Sequence, residues 1–251
     1  MNNFKKKWGL IFEVLAIVFC LLILKRIINF FDLDTAAASP LITALVGGVI
    51  FTIAIIFTGT LADYKESEKV PGELAASIKA IYNDSKVLPI NDAITSGMRT
   101  HIRQLLHAIN SNFRNNNWDL DEINSAMEAI NNDIGQLSVK GLAPPLIVKL
   151  RAELINIDKI SNRIKTIAET SFIPAAYAIA ELAVGAVLLV LLFVKTEPVY
   201  EGLALIGATS SLLIGLILLI KDMDNPFEVG KNSYADVDMG ILWNLEEYLK
   251  Y

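Results

Sequence analysis

Residues suited to metal or redox chemistry are few in this sequence. The 251-residue chain has two histidines, His101 and His107, and a single cysteine, Cys20. The histidines are six residues apart on a predicted amphipathic helix, which is not the i, i+4 spacing that directs two imidazoles at one metal ion. Cys20 lies within an apolar run and cannot form a disulfide inside one chain. These residues therefore predict no zinc, redox or catalytic metal site.

Motifs for nucleotide binding and nucleophilic catalysis are also missing. The sequence contains neither GxGxxG nor GxxxxGK[ST], the glycine-rich turns that hold phosphates. Two histidines and scattered serines do not specify a nucleophile with its base and orienting acid. The net charge is −5, without the basic stripe that a nucleic-acid partner needs. We therefore predict a protein that is not an enzyme, uses no cofactor and binds no nucleic acid.

Polar residues inside long apolar segments are more informative, because each is costly in lipid and should face protein or water. Glu181 lies within such a segment and predicts either a pore-lining carboxylate or a glutamate paired between helices. In another segment Gly47, Phe51, Ile55 and Gly59 recur every four residues, on one face of a helix, and Thr58 is a hydroxyl residue of the same segment. Facing a symmetry axis, such apolar side chains would close a pore by dewetting. Lipid contact would explain apolar residues in a span more readily.

The elements that carry these residues are predicted to be membrane helices. Hydrophobic residues make up 53% of the chain, and four segments approach the roughly 20 apolar residues that cross a bilayer. Lysines and arginines near the segment ends favour both termini and the long middle segment on the cytoplasmic side. The prediction is a multi-pass cell-membrane protein. The four segments are Trp8–Leu24, Leu41–Leu61, Phe172–Val194 and Gly202–Ile220.

The middle segment is predicted to be helical throughout, which makes the fold all-α with four transmembrane helices and a cytoplasmic helical bundle. Helices are expected to begin near Pro71, Asn91 and Asp119, where Asp119 and Glu122 resemble a capping box. Breaks are expected at the asparagine run 115–117 and at 141–145, which has one glycine and two prolines. The predicted domains are 1–62 and 171–220, the two membrane helix pairs, with 63–170 and 221–251 as cytoplasmic segments.

Three stretches resemble the bestrophin family, in the family's order. The first is Tyr64-Lys65-Glu66 with the turn Pro71-Gly72, after the second predicted span. The second is the start of the third span, where Pro174 precedes Tyr177 by three residues. The third is the acidic Asp224-Asn225-Pro226-Phe227 stretch after the fourth span, which is the most specific of the three. The resemblance covers roughly Trp8 to Tyr248.

The resemblance implies a homopentamer, surrounded by membrane lipids, that passes small inorganic ions through a central pore lined by the second span. Its neck would be Phe51, Ile55 and Gly47, with Thr58 and Glu181 as polar pore or intramembrane residues. Chloride-type anions are favoured. Cations stay open as an alternative, because the arginine usual near the end of the second span is replaced by Thr60-Leu61-Ala62-Asp63. The alternative function is a non-conducting membrane scaffold or sensor, and an enzyme is a third hypothesis.

The motif after the fourth span carries its own expectation, at Asp224, Pro226 and Phe227. In animal members the acidic stretch that follows binds calcium. Here the dense carboxylate run is missing, and Asp236 and Asp238 are the remaining acidic candidates. A solvated acidic surface explains them as well, so calcium binding is an expectation and no metal site is assigned.

Overall fold

The structure is a computed structural model that describes residues 3–88, 93–169, 174–228 and 233–250. Apart from one pair of two-residue strands, the regular elements of these ranges are helices, so the predicted all-α class is confirmed. The elements are α1 Asn3–Phe30, β1 Ala36–Ala37, α2 Pro40–Ser67, α3 Val70–Val87, α4 Ala93–Asn115, α5 Asp121–Val139, α6 Pro144–Glu169, α7 Pro174–Phe193, β2 Val194–Lys195, α8 Val199–Asp224 and α9 Gly240–Leu249.

The chain forms two compact units. The first contains Met1–Tyr64, Ser171–Asp224 and Asn232–Ala235, and the second contains Lys65–Thr170, Asn225–Lys231 and Asp236–Tyr251. The apolar helices α1, α2, α7 and α8 thus fall in the first unit, although they come from opposite ends of the sequence. The helices α3 to α6 and α9 fall in the second.

The first unit has an aliphatic core between α2, α7 and α8. Ile53 of α2, Val187 of α7 and Leu213 of α8 are fully buried there. A smaller cluster joins α1 to α8 through Val14, Val18 and Ile214. Each helix therefore buries one face in the unit, as expected for helices that pack in a bundle.

Three stretches of the described residues are long and apolar enough to cross a membrane, namely Pro40–Val87, Pro144–Phe193 and Val199–Asp224. They contain α2, α7 and α8, where the second, third and fourth predicted spans lie. The first predicted span, Trp8–Leu24, lies on α1, which is not among the three. That α1 crosses the membrane stays a prediction.

A buried lysine closes one end of the first unit. Lys25 of α1 is 0% exposed, and its Nζ donates hydrogen bonds to the carbonyl oxygens of Leu192, at 3.0 Å, and Val194, at 2.6 Å. The last carbonyls of a helix lack partners within the helix, so Lys25 caps α7. Its Nζ is also 3.7 Å from Oδ2 of Asp34.

The second unit is an amphipathic helical bundle. Its core includes Leu74 and Ile78 of α3, Ile109 of α4, Ile130 of α5 and Ile157 of α6, all 0% exposed. The apolar residues that recur at three and four residues in the sequence form this core. Their burial gives them a packing role.

Most of the helix boundaries predicted in this unit are confirmed. Pro71 stands in the first turn of α3, α4 ends at Asn115, and Gly141 adopts φ +90 between α5 and α6. The capping box is wrong: Leu120 is the N-cap of α5 and makes no side-chain cap bond. Instead, Oδ1 of Asp119 accepts a bond from the amide of Asp121 at 3.0 Å, a two-residue turn that competes with capping.

Two predicted boundaries lie outside the described residues. They are Asn91, the expected start of the helix seen as α4, and Phe172, the expected start of the third span. The second predicted span ends at Leu61, whereas α2 continues to Ser67. Residues 62–67 contain neither glycine nor proline, so nothing in the local sequence stops the helix there.

Candidate functional site

One face of α2 is packed and the opposite face is bare. Ile53 is 0% exposed against α7 and α8, whereas Phe51 is 68% exposed and Ile55 is 59% exposed. The bare face is a stripe whose members alternate at spacings of three and four residues, which keeps them in line along a helix. They are Leu41, Ala44, Gly48, Phe51, Ile55, Thr58 and Ala62, all exposed.

The predicted neck residues all belong to or adjoin this stripe. Gly47 is exposed beside Gly48, and Phe51 and Ile55 are its largest side chains at mid-helix. Gly59, one turn beyond Ile55, is half-buried, so the stripe continues through Thr58 instead. The Thr58 hydroxyl donates to the Ala54 carbonyl at 2.8 Å, which satisfies its donor within the helix and leaves an oxygen lone pair available.

The stripe carries no charge. Residues 40–62 of α2 contain no aspartate, glutamate, lysine or arginine, and the first acidic residue is Asp63. A constriction made from this face would therefore act through size and dewetting, not through a ring of fixed charges.

Glu181 has a cation partner. Its Oε1 is 2.5 Å from Nζ of Lys221, near the end of α8. Both side chains are about half-exposed in the single chain. Of the two interpretations of Glu181, a pore-lining carboxylate and a glutamate paired between helices, this geometry corresponds to the paired glutamate. Glu181 lies seven residues after Pro174, the first residue of α7, so the ion pair joins the beginning of α7 to the end of α8.

The acidic motif after α8 is built into the protein by hydrogen bonds. Oδ1 of Asp224 accepts a bond from the Tyr177 hydroxyl at 2.9 Å. Oδ2 of Asp222 accepts bonds from the backbone amides of Tyr234, at 2.9 Å, and Ala235, at 2.7 Å. These carboxylates are acceptors of internal hydrogen bonds in the first unit.

The next residues of the motif pack in the second unit. The Pro226 carbonyl accepts a bond from the Val237 amide at 2.9 Å. The ring of Phe227 is buried, with its centroid 5.9 Å from that of Phe113. Pro226 and Phe227 are thus anchoring residues at the start of the C-terminal segment.

Solved structures of bacterial proteins share the fold of this chain. A bacterial bestrophin homolog from Klebsiella pneumoniae superposes with a TM-score of 0.78 at 13% identity, over 95% of this chain and 97% of that chain. The chain has the bestrophin fold. A singly substituted form of a Klebsiella pneumoniae bestrophin homolog gives 0.78 at 14% identity, over 96% of this chain and 95% of that one. Another substituted form superposes with a TM-score of 0.75 at 14% identity, over 96% of this chain and 97% of that chain.

At the level of sequence the likeness is low. No protein-family profile matches the chain, and no curated protein matches it. The bestrophin resemblance found in short motifs is thus supported through three-dimensional structure, where it extends over nearly the whole chain.

Asp238, one of the two acidic candidates for calcium, has a structural partner. Oδ1 of Asp238 accepts a bond from the Gly240 amide at 2.9 Å, at the start of α9. Among the residues that the structure describes, no group of three or more His, Cys, Asp or Glu side chains could hold a metal ion. Calcium binding at Asp236 and Asp238 stays an expectation.

Both histidines are paired with carboxylates of neighbouring helices. Nδ1 of His101 is 2.7 Å from Oδ2 of Asp133 on α5, and Nδ1 of His107 is 2.9 Å from Oε1 of Glu246 on α9. Each pair joins α4 to another helix of the second unit. The histidines therefore link neighbouring helices of the second unit.

Glu246 is the polar centre of α9, and sequence reasoning missed it because residues 221–251 were treated as an acidic tail. Its Oε2 accepts bonds from Asn110 at 3.0 Å and from Arg114 at 2.8 Å. Burial favours the neutral acid, but the hydrogen bonds from His107, Asn110 and Arg114 and the Arg114 charge outweigh burial and lower the pKa of Glu246. The signal was present in Leu242, Leu245 and Leu249, which recur at helical spacing and are buried.

Proposed function

We propose that the chain is one subunit of a homopentameric channel for small inorganic ions, with the bare face of α2 lining a central pore. The observation that carries the proposal is the contrast along α2: Ile53 is buried, while Phe51 and Ile55 stand exposed on the opposite face. The bestrophin fold, with its apolar helices, supports the membrane setting.

Five copies around an axis would turn each exposed side chain of the stripe into a ring. Phe51 and Ile55 would form two apolar rings one turn apart, and a pore lined in this way closes by losing its water. Gly47 and Gly48 would leave a wider level beside the Phe51 ring, because they have no side chain. The narrowest part of the pore is therefore assigned to Phe51 and Ile55.

A neutral neck favours ions that lose water easily, whatever the sign of their charge. With no fixed charge between residues 40 and 62, ions must pass by giving up part of their hydration. We propose chloride-type anions as the preferred ions, with large, weakly hydrated anions passing most readily. The orientation that goes with this proposal places both termini and the second unit in the cytoplasm, following the lysine and arginine distribution.

The experiment is ion flux into liposomes that contain the purified protein, with chloride and potassium gradients measured separately. The test variant combines Phe51→Ala with Ile55→Ala, which widens both rings. A barrier lower by about 1.4 kcal/mol would raise flux about tenfold. The matched control is Leu182→Ala with Leu189→Ala on α7, because these side chains are exposed to a similar extent but lie off the proposed pore.

Higher flux in the α2 variant, with the α7 control at the wild-type level, would support the pore and show which ion it passes. Equal flux in both variants would contradict the neck assignment. No flux in any variant, from protein that elutes as a folded oligomer, would favour the non-conducting scaffold. Gly47 and Gly48 are relevant to that scaffold, because small residues let helices approach closely enough to seal a bundle.

A further inference from the structure

A cavity of about 200 Å³ lies in the second unit. Three aromatic residues line it: Phe113, Trp118 and Phe227. The ring centroid of Phe113 is 4.7 Å from that of Trp118 and 5.9 Å from that of Phe227. Trp118 is fixed by its Nε1, which donates to the Ser161 carbonyl at 2.8 Å. This hydrogen bond orients the Trp118 ring beside Phe113.

The remaining wall is acidic and rich in amides. Its residues include the carboxylates of Glu169 and Glu228 and four asparagines, and no lysine, arginine or histidine of the described ranges lines it. Oε1 of Glu169 is 3.8 Å from Nζ of Lys165. The cavity is thus suited by charge to a cation and unsuited to an anion.

Asn225 supplies a specific unsatisfied acceptor. Its Nδ2 donates to Oε1 of Glu228 at a long 3.4 Å, while its Oδ1 is buried and accepts no hydrogen bond among the residues that the structure describes. Buried polar atoms are nearly always paired. A bound group with N–H donors would satisfy this oxygen.

We propose that this cavity binds a small organic ammonium cation. Aromatic rings attract ammonium groups through cation–π interaction, Glu228 and Glu169 supply the counter-charge, and Asn225 Oδ1 accepts from an N–H where the ligand has one. A bare divalent metal suits the cavity less, because much of the wall is aromatic carbon, and metals such as calcium need six or more oxygen ligands. The site is independent of the channel function proposed above.

The test is titration of the full-length protein, in phosphatidylglycerol nanodiscs, with methylammonium chloride and with tetramethylammonium chloride. Binding is followed by calorimetry and by the fluorescence of Trp118, with sodium chloride at equal ionic strength as the reference. Phosphatidylcholine is avoided because its headgroup carries the same chemistry; a parallel series in phosphatidylcholine nanodiscs shows whether lipid headgroups compete for the site.

The test variant is Glu228→Gln, which removes one charge at nearly constant shape, and the control is Glu128→Gln on α5, outside the lining residues. We expect saturable binding in the wild type and the control, at least tenfold weaker binding in Glu228→Gln, and no fluorescence response in Trp118→Phe. Equal melting temperatures would show that each variant is folded.

Two results would overturn the proposal. One is the absence of saturable binding of either ammonium probe in wild-type protein in phosphatidylglycerol, or binding that Glu228→Gln leaves unchanged. The other is tight calcium binding that produces the same Trp118 response, is reversed by a chelator and excludes ammonium, which would assign the cavity to a metal. Because ion flux is measured separately, failure here leaves the channel proposal untouched.

Discussion

At the scale of single residues, Lys25 is a charged side chain that is buried in the structure. Lys25 follows an apolar run and would ordinarily be counted as a charge at the membrane surface. In the structure it is buried and bonded to two carbonyls at the end of α7, with Asp34 close by. Its positive charge complements the negative end of the α7 helix dipole. Lys25 is therefore a fixing point between α1 and α7.

Lys25→Met is expected to destabilise the protein strongly. Methionine keeps most of the volume but leaves the carbonyls and Asp34 without their cation, and removal of one partner from a buried ion pair typically costs about 3–5 kcal/mol. The measurement is thermal unfolding in detergent micelles, with loss of helical circular dichroism as the signal. Arg26→Met, at the exposed neighbouring position, is the control. Equal melting temperatures for the two variants would contradict the fixing role.

At the scale of elements, one carboxylate of α9 receives hydrogen bonds from several residues of α4. His107, Asn110 and Arg114 of α4 all bond to Glu246. Because these bonds hold the pKa of Glu246 below its usual value of 4.5, folding favours the ionised form. The resulting stabilisation is complete above the unfolded-state pKa, and it is lost as the pH falls from there through the lower, folded-state pKa.

Glu246→Gln is therefore expected to loosen α9 at neutral pH and to make its stability less sensitive to acid. Hydrogen bonds to a charged group contribute about 1.5–3 kcal/mol, so amide exchange in α9 should quicken severalfold or more at pH 7. As the pH falls below about 4.5, the wild type should approach the variant. Hydrogen exchange followed by mass spectrometry between pH 7 and pH 3 measures both effects, after correction for the intrinsic exchange rate.

Glu247→Gln serves as the control, since the neighbouring side chain is exposed. A difference between wild type and Glu246→Gln that persists unchanged at pH 3 would contradict the assignment. So would an equal effect of the two substitutions at pH 7.

The helix boundaries show what sequence can predict at this scale. Pro71, the asparagine run ending α4 and Gly141 act through their own backbone preferences, so their effects are local and readable. The capping box at Asp119 was wrong because a competing local turn used the same carboxylate. The attachment of α9 was missed because Glu246 is recognisable only beside α4, more than a hundred residues earlier in the chain. Contacts between distant elements determine it, and local patterns do not.

At the candidate pore face, too, some features were predictable from the local sequence and others were not. Periodicity placed Gly47, Phe51 and Ile55 on one face of a helix, and the structure leaves that face exposed. The pairing of Glu181 with Lys221 depends on the packing of α7 against α8, which no spacing rule encodes. The sequence therefore predicted which side chains share a helix face, but it left undecided which side chains pair between helices.

At the scale of the whole molecule, the decisive question is what covers the stripe on α2. Lipid, a sealed bundle and a water-filled pore would each accommodate exposed Phe51 and Ile55, but only the last two bring the same residue of several copies together around one axis. Because Cys20 is the only cysteine, a Cys20→Ser background allows single thiols to be placed at will. Proximity between copies then becomes measurable independently of ion flux.

In that background, Ile55→Cys is expected to form disulfide-linked dimers on mild oxidation, since neighbouring side chains of a narrow ring lie within the short distance that a disulfide spans. Leu182→Cys on α7, 78% exposed, is expected to stay monomeric because it would face lipid. The assembly should have five times the 27.6 kDa subunit mass by native mass spectrometry. Linked Ile55→Cys with flux that a thiol reagent blocks indicates a pore, and linkage without flux indicates a sealed bundle. Linkage at Leu182 alone would place the α2 stripe against lipid and refute both.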